Sequence, residues 1–317
     1  MTNIWLHLTI PDEEVALIRS KCPEATFHTG FELPDNVLGS IDAAFVTEPI
    51  PDDTIGKMPN LRWMHTTYGG VGTILTPKVK ERGIICTNSK GTHAIPFAEF
   101  TIAAIYAMAK HIPRVARAQA EHRWENELPL TTEVQGTTLG IVGFGAIGSE
   151  LARSAHHLGM RIVAIKRTEG VKPDYLDWLK PPEALPELLG ESDWVVLSIP
   201  ATPYTKDMFD EPTIRQMKPN AVLINLTARN AFPSEELVAQ ALREGWIGGA
   251  VFNVFSGPRG AIADDSPLWD APNMLVSPRI PQFDPNRWPR LIELYHDNFS
   301  RFIAGKELLN VGNESGY

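Results

Sequence analysis

Thr138-Leu139-Gly140-Ile141-Val142-Gly143-Phe144-Gly145-Ala146-Ile147-Gly148 is the stretch that decides how this chain folds. An apolar run of strand length, Thr138–Val142, enters a G-x-G-x-x-G turn, and an amphipathic run over Glu150–Leu158 leaves it. In that setting each glycine has its own task. Gly143 permits the tight turn, Gly145 lets the backbone approach a pyrophosphate, and Gly148 lets the helix pack closely on the strand. Unpaired N–H groups at the helix start then face the phosphate charge. The pattern predicts a dinucleotide site built from Gly143, Phe144, Gly145, Ala146, Ile147 and Gly148, against the plainer alternative of an ordinary strand-to-helix turn.

Downstream, apolar runs at Arg161–Ile165, Trp194–Ile199, Ala221–Leu226, Gly249–Val254 and Met274–Val276 alternate with polar or amphipathic stretches. Together with Thr138–Val142 they predict six parallel strands of a doubly wound sheet, covered by helices on both faces because the runs are continuously apolar. A weaker βα rhythm occupies residues 1–90, with strands at Ile4–Leu8, Ala43–Val46, Leu61–Thr66 and Ile84–Thr87 and a helix from about Asp12. This predicts a second, smaller α/β unit. A final helical segment, Arg287 to Ala304, follows the last strand and is placed to return to it.

Composition excludes several classes. The chain has 317 residues, 43% of them hydrophobic, with a formal net charge of −9, which disfavours nucleic acid and anionic membrane surfaces as partners. Cys22 and Cys86 are the only cysteines, too few for a disulfide framework and without metal-ligand spacing, so both read as buried hydrophobes and no metal is expected. No signal-peptide pattern is evident, and Phe100–Ala109 is about half the ~20 apolar residues a membrane span needs. A cytoplasmic protein is the expectation, with Phe100–Ala109 a buried helix.

After Ile165 come Lys166, Arg167 and Thr168, where an NAD site usually places a carboxylate for the ribose 2′-OH. Two cations and a hydroxyl suit a 2′-phosphate, so NADP(H) is the expected cofactor; the alternative is a solvated basic turn.

With these residues assembled, the chain resembles the D-isomer-specific 2-hydroxyacid dehydrogenases, the family that includes glyoxylate/hydroxypyruvate reductases. The resemblance runs over nearly the whole length, through Thr87-Asn88-Ser89, Thr138–Gly148, Leu158-Gly159-Met160, Met217-Lys218-Pro219, Leu223-Ile224-Asn225, Ala228-Arg229, Pro267-Leu268-Trp269, Pro272-Asn273 and Asn298. It implies an α/β architecture of two Rossmann-like or flavodoxin-like domains with parallel sheets. A substrate domain (1–98 and 288–317) would be interrupted by a dinucleotide domain (99–287). It also implies a homodimer, to which the apolar helix Phe100–Ala109 is suited, and a substrate carboxylate held by the backbone of Gly69, Gly70 and Val71 beside Tyr68. Arg229 matches the family's substrate-anchoring arginine, in a stretch one residue longer than usual. Ser198, Pro200, Thr205 and Thr227 are implied as further cofactor contacts. Asn253, in place of the family's aspartate, is implied near the nicotinamide carboxamide.

Two family positions are substituted. The acid/base histidine expected after Ser277-Pro278 is Arg279, and the glutamate expected three residues after Phe255 is Pro258. A guanidinium stays protonated and cannot cycle a proton, but it stabilises negative charge on a substrate or a developing alkoxide. His93 and Tyr68 are the candidate proton donors, against the alternatives of a histidine satisfied by its loop and an aromatic pocket wall; His65 reads as a strand residue. The sequence therefore predicts an NADPH-dependent reductase of a small carbonyl substrate bearing a carboxylate. The alternatives are a reductase of an imine and a dinucleotide-binding sensor without turnover.

Overall fold

The computed structural model describes residues 1–312, and the chain separates into two compact units: Met1–Thr92 with the chain from Asp284 onward, and His93–Phe283. In the first unit β1 (Thr2–His7), α1 (Asp12–Lys21), β2 (Ala25–Thr29), α2 (Asp35–Leu38), β3 (Ala43–Val46), α3 (Asp52–Gly56), β4 (Trp63–Thr66), α4 (Pro77–Glu81) and β5 (Ile85–Asn88) follow one another. Their strands form an all-parallel sheet in the order β2-β1-β3-β4-β5. The order reverses between β1 and β3, so the loops after these two strands diverge at the carboxyl edge and leave a crevice there.

The second unit begins with α5 (Ala94–Ala109) and α6 (Ile112–Ala120). It continues through β6 (Thr138–Val142), α7 (Ala146–His157), β7 (Arg161–Ile165), β8 (Trp178–Lys180), α8 (Leu185–Glu191), β9 (Trp194–Leu197), α9 (Glu211–Ile214), β10 (Val222–Asn225), α10 (Glu235–Arg243), β11 (Gly249–Phe252) and β12 (Met274–Val276). The parallel sheet runs β12-β11-β10-β9-β6-β7-β8, with its switch point between β6 and β9. Alternate residues feed opposite faces. Val195 and Leu197 of β9 join Val142, Val163, Leu223 and Phe252 in one apolar cluster, while Trp194 and Val196 join Leu139, Ile141, Ile162 and Ile224 in another. Both faces are thus dry, which is why these strands read as continuous apolar runs.

The chain returns to the first unit as α11 (Arg287–Ile303). Its apolar stripe, Leu291, Ile292, Tyr295 and Phe299, is buried with Ile4, Leu6, Phe45 and Trp63 of the sheet. The Tyr295 ring stacks on both Phe45 (4.6 Å between centroids) and Trp63 (5.1 Å). Truncating such a buried ring typically costs about 3–5 kcal/mol. Beyond α11, Gly312 N donates to the Cys86 carbonyl and Val311 bridges Thr87, tying Val311 and Gly312 to β5.

The large sheet has seven strands rather than the expected six, and the small one includes β2, which sequence periodicity passes over. The added strands, β8 and β2, are both sheet edges with half-buried residues, Trp-Leu-Lys and Ala-Thr-Phe-His-Thr, and lack the apolar signature of strands paired on both sides. Ile199 and Val254, expected inside strands, lie just past the ends of β9 and β11. Phe100–Ala109 sits within the longer α5, which packs along α7. Cys22 and Cys86 are buried free thiols, pushed up to about 12 by burial. Among the described residues no helix is long and apolar enough to cross a membrane, and no cluster of His, Cys, Asp and Glu is arranged to hold a metal.

Candidate active site

Every loop that carries an expected cofactor residue leaves the carboxyl edge of the seven-stranded sheet, because all its strands are parallel. At the switch point Gly143 adopts φ 102°, a left-handed conformation that L side chains rarely take, and its N–H donates to the Ile165 carbonyl (3.0 Å). A Cβ there would lie 2.7 Å from both the Ser198 carbonyl oxygen and the Ile199 side chain. At Gly148 a Cβ would meet the Gly143 carbonyl oxygen at 2.5 Å. Packing alone therefore requires these two glycines.

Gly145 is different. It is exposed, caps α7 without a side chain, and a Cβ added there meets nothing within 4 Å. Nothing in the protein demands a glycine at this position, whereas a pyrophosphate approaching the unpaired N–H groups of Ala146, Ile147 and Gly148 does. The turn fits a dinucleotide, which supplies a hydride donor or acceptor when bound.

The hydroxyls expected at the cofactor tie the surrounding loops together. Ser198 Oγ donates to the Gly143 carbonyl (2.6 Å), Thr205 Oγ1 to the Pro200 carbonyl (2.7 Å) and Thr227 Oγ1 to the Ile199 carbonyl (2.8 Å). Each oxygen keeps lone pairs but has committed its proton. Asn253 is fully buried; its Nδ2 donates to the Leu226 carbonyl (3.3 Å) and its Oδ1 accepts from Ser277 (3.0 Å), so the amide braces the ends of β10 and β12. Asn225, which sequence reading did not single out as a site residue, does the same for the following loop, donating to the Ala228 carbonyl (3.1 Å) and accepting from Ala228 N (3.0 Å).

Past the end of β7, Lys166 is half-buried and Arg167 and Thr168 are exposed. The Lys166 ammonium lies over Gly170, 2.6 Å from where a Cβ would stand. Among the described residues neither Lys166 nor Arg167 has an ion-pair partner.

Arg229 and Arg279 share the carboxyl edge of the same sheet, after β10 and β12. Arg229 is exposed, and Gly260 of the turn Pro258–Gly260 lies against its guanidinium, where a Cβ would come within 3.3 Å of Nε. Pro258 opens that turn. Arg279 is half-buried with φ 62°, a positive value uncommon for a side chain of its size. His93 is half-buried at the N-cap of α5, its ring 6.4 Å from Phe97.

In the first unit, the loop Tyr68-Gly69-Gly70-Val71 follows β4. Val71 is fully buried, Tyr68 is 39% exposed, and a Cβ at Gly69 would meet nothing within 4 Å. The loop is pinned from below. Ser89 N donates to the Tyr68 carbonyl (2.8 Å) and Ser89 Oγ to the Thr66 carbonyl (2.8 Å). That direction makes Ser89 Oγ the acceptor from His65 Nε2 (3.0 Å) and leaves His65 Nδ1 to accept from Thr87 Oγ1 (2.7 Å), which takes the Trp63 indole N–H (2.8 Å). His65 is completely enclosed, and desolvation lowers its pKa to about 3. It is a neutral strand residue, as its sequence position suggested.

Two residues near this edge carry no signal in sequence. His7, at the end of β1, is buried with its pKa lowered by desolvation, opposed by a bond to the Glu48 backbone. Arg287, the first residue of α11, is half-buried, and its charge interacts with Tyr68. Helical periodicity accounts for α11 fully and does not mark its first residue.

A doubly wound parallel sheet with a glycine turn of this geometry at its switch point defines a nicotinamide-dinucleotide-binding α/β protein. Residues 102–280 match the model of the D-isomer specific 2-hydroxyacid dehydrogenase NAD binding domain, and the chain belongs to that dehydrogenase and reductase family. Among curated relatives it is 32% identical over 278 residues to the glyoxylate reductase of Korarchaeum cryptofilum, covering 86% of this chain and 82% of that one. It is 29% identical over 288 residues to the glycerate dehydrogenase of Methylorubrum extorquens, covering 87% and 86%. Among solved structures, a Thermus thermophilus protein superposes with a TM-score of 0.78 at 28% identity, covering 98% of this chain and 99% of the other.

Proposed function

We propose that this protein is an NADPH-dependent reductase that adds hydride to the carbonyl carbon of a small 2-keto acid, with a proton donor other than the family's imidazole. The observation that carries the cofactor choice is the pair Lys166 and Arg167 beyond β7, two cations without ion-pair partners among the described residues where a 2′-OH-binding carboxylate would otherwise stand. A 2′-phosphate offers three acceptor oxygens to Lys166, Arg167 and the Thr168 hydroxyl. Gly143, Phe144, Gly145, Ala146, Ile147 and Gly148 hold the pyrophosphate. Ser198, Pro200, Thr205, Thr227 and Asn253 shape the loops that receive the rest of the dinucleotide.

On the substrate side, Arg229 of the second unit is the anchor for the keto acid, and in the first unit Gly69, Gly70 and Val71 offer backbone N–H groups to a carboxylate. When hydride reaches the carbonyl carbon, the oxygen gains the electron pair, and Arg279 stabilises that charge without giving up a proton. The proton comes from His93, Tyr68 or water. General acid catalysis is worth about 10²–10⁴-fold, so its absence slows the family reaction without abolishing hydride transfer. A homodimer accords with the exposed apolar side chains Ile112, Trp124 and Leu130 in and after α6.

The test follows NADPH absorbance with glyoxylate, hydroxypyruvate, bulkier 2-keto acids and cyclic imines. Oxidation by a keto acid is the expected result, with His93→Ala and Tyr68→Phe locating the donor through the pH–rate profile. Oxidation by imines alone changes the substrate class, and tight NADPH binding with no oxidation by any of them replaces the reductase with a sensor.

A further inference from the structure

Between the carboxyl ends of β10 and β11, within the second unit, lies a cavity of about 70 Å³. Its floor is formed by the buried side chains of Phe252, Phe255 and Val238, and the half-buried Phe232 lines it with its ring centroid 5.0 Å from that of Phe252. The rim carries exposed residues, Arg229, Pro233 and Ser256. Two other polar side chains that line the cavity are committed elsewhere. The Asn225 amide donates to the Ala228 carbonyl and accepts from Ala228 N, and the Glu235 carboxylate accepts from the hydroxyls of Ser256 (3.2 Å) and Ser266. Arg229 is different. Its guanidinium has no hydrogen-bond or ion-pair partner among the described residues, and Gly260 lies against it. The recess thus offers an aromatic and aliphatic floor below one uncompensated cation, which is the complement of a small amphiphilic anion. An apolar cavity of about 150 Å³ accommodates benzene, so one of about half that size takes roughly three carbons.

We propose that this recess takes the aliphatic side chain of the substrate while Arg229 pairs with its carboxylate, so that the protein selects short branched 2-oxo acids, typified by 3-methyl-2-oxobutanoate, over glyoxylate and hydroxypyruvate. This rests on the reading of the protein as a keto-acid reductase and specifies the side chain of its substrate. Glyoxylate has only a hydrogen where the side chain would be and leaves the recess empty. Hydroxypyruvate brings a hydroxyl against Phe252 and Phe255 and forfeits that group's hydrogen bonds to water. Each methylene buried against apolar surface is worth about fourfold in binding, and the three carbons of an isopropyl group about 60-fold.

The test uses the full chain and reads turnover and binding separately. NADPH oxidation compares kcat/KM for 3-methyl-2-oxobutanoate and glyoxylate, and calorimetry in the presence of NADPH compares the unreactive skeletons 3-methylbutanoate and acetate. Wild type favours the branched member of each pair by about tenfold or more. Val238→Phe fills the recess and removes that preference with NADPH affinity unchanged. Val238→Leu, one methylene larger than wild type, cuts the preference about fourfold and serves if the aromatic ring prevents folding. Phe232→Ala enlarges the recess and moves the preference to 4-methyl-2-oxopentanoate, and Arg229→Met weakens 3-methylbutanoate about tenfold or more. A smaller preference in wild type, one that survives intact in the Val238 variants that fold, or 3-methylbutanoate affinity undiminished by Arg229→Met overturns the proposal. The two readings fail separately. Binding of 3-methylbutanoate that depends on Val238 and Arg229, with no NADPH oxidation by any keto acid, sinks the reductase reading alone, whereas keto-acid reduction without side-chain preference sinks the recess alone.

Discussion

Gly145→Ala and Gly148→Ala differ from each other by three positions in one turn, yet they should fail in opposite ways. At Gly145 the new methyl meets nothing in the protein within 4 Å. Less freedom in the unfolded chain stabilises by about 0.4–1 kcal/mol, and the loss of a good N-cap costs roughly the same. The folded protein should thus melt within a few degrees of wild type. The same methyl stands where the pyrophosphate must lie against the first turn of α7. Losing one charge-assisted hydrogen bond there, about 1.5–3 kcal/mol, weakens NADPH roughly 10- to 150-fold. At Gly148 the methyl would lie 2.5 Å from the Gly143 carbonyl oxygen and 3.0 Å from Ile141, so α7 must move off β6. Overpacking of that kind costs about 1–3 kcal/mol before any cofactor is added. Thermal melts of the apo proteins and fluorescence titration with NADPH separate the two. A Gly145→Ala protein that binds NADPH like wild type would refute the assignment of this turn to the pyrophosphate.

Lys166→Asp combined with Arg167→Ser should lose about 10²-fold or more in NADPH affinity while NADH affinity changes little; equal losses for both cofactors count against a 2′-phosphate site. Introducing the family's couple as Pro258→Glu with Arg279→His should raise keto-acid turnover, up to the ~10²–10⁴-fold of general acid catalysis, and bring in a pH dependence near neutrality. A flat profile with no gain would show that some other group already delivers the proton. His65 has a folded pKa of about 3 against an ordinary 6.5. The unfolded chain therefore takes up a proton that the folded one refuses, and stability is lost as pH falls from about 6.5 towards 3, by up to about 1.4 kcal/mol per pH unit. Urea titrations at pH 7, 5 and 4 should show this slope in wild type and a shallower one in His65→Asn.

Much of the architecture is legible because the second unit's inner strands are buried on both faces. Val195-Val196-Leu197 and Leu223-Ile224 have no polar face to display, so the strand pattern survives in one dimension. The edges β2 and β8 are paired on one side only and their residues are half-buried, so a Thr-Phe-His or a Trp-Leu-Lys does not stand out from a loop. At the site, the glycine turn is readable because sterics and backbone angle restrict Gly143 and Gly148 to one residue type. Ser198 and Thr227 show their hydroxyls in the sequence, but which carbonyl each proton reaches depends on loops that converge only in three dimensions. Arg287 is illegible for a similar reason. Its character comes from Asp284 being occupied by Arg290 and from Tyr68, more than two hundred residues away in the chain.

Tyr295 completes the ring stack over Phe45 and Trp63, and a ribosome delivers it more than two hundred residues after either of them. During synthesis His93–Phe283 has all its own strands available, while the first five strands of the chain wait for a lid that has not been translated. Nascent chains should therefore display a folded middle flanked by an unfinished beginning, with those aromatic faces open to chaperones. A stop codon just before α11 would strand the five-stranded sheet uncapped for good, so the hazard of a truncation there falls on strands made long before it.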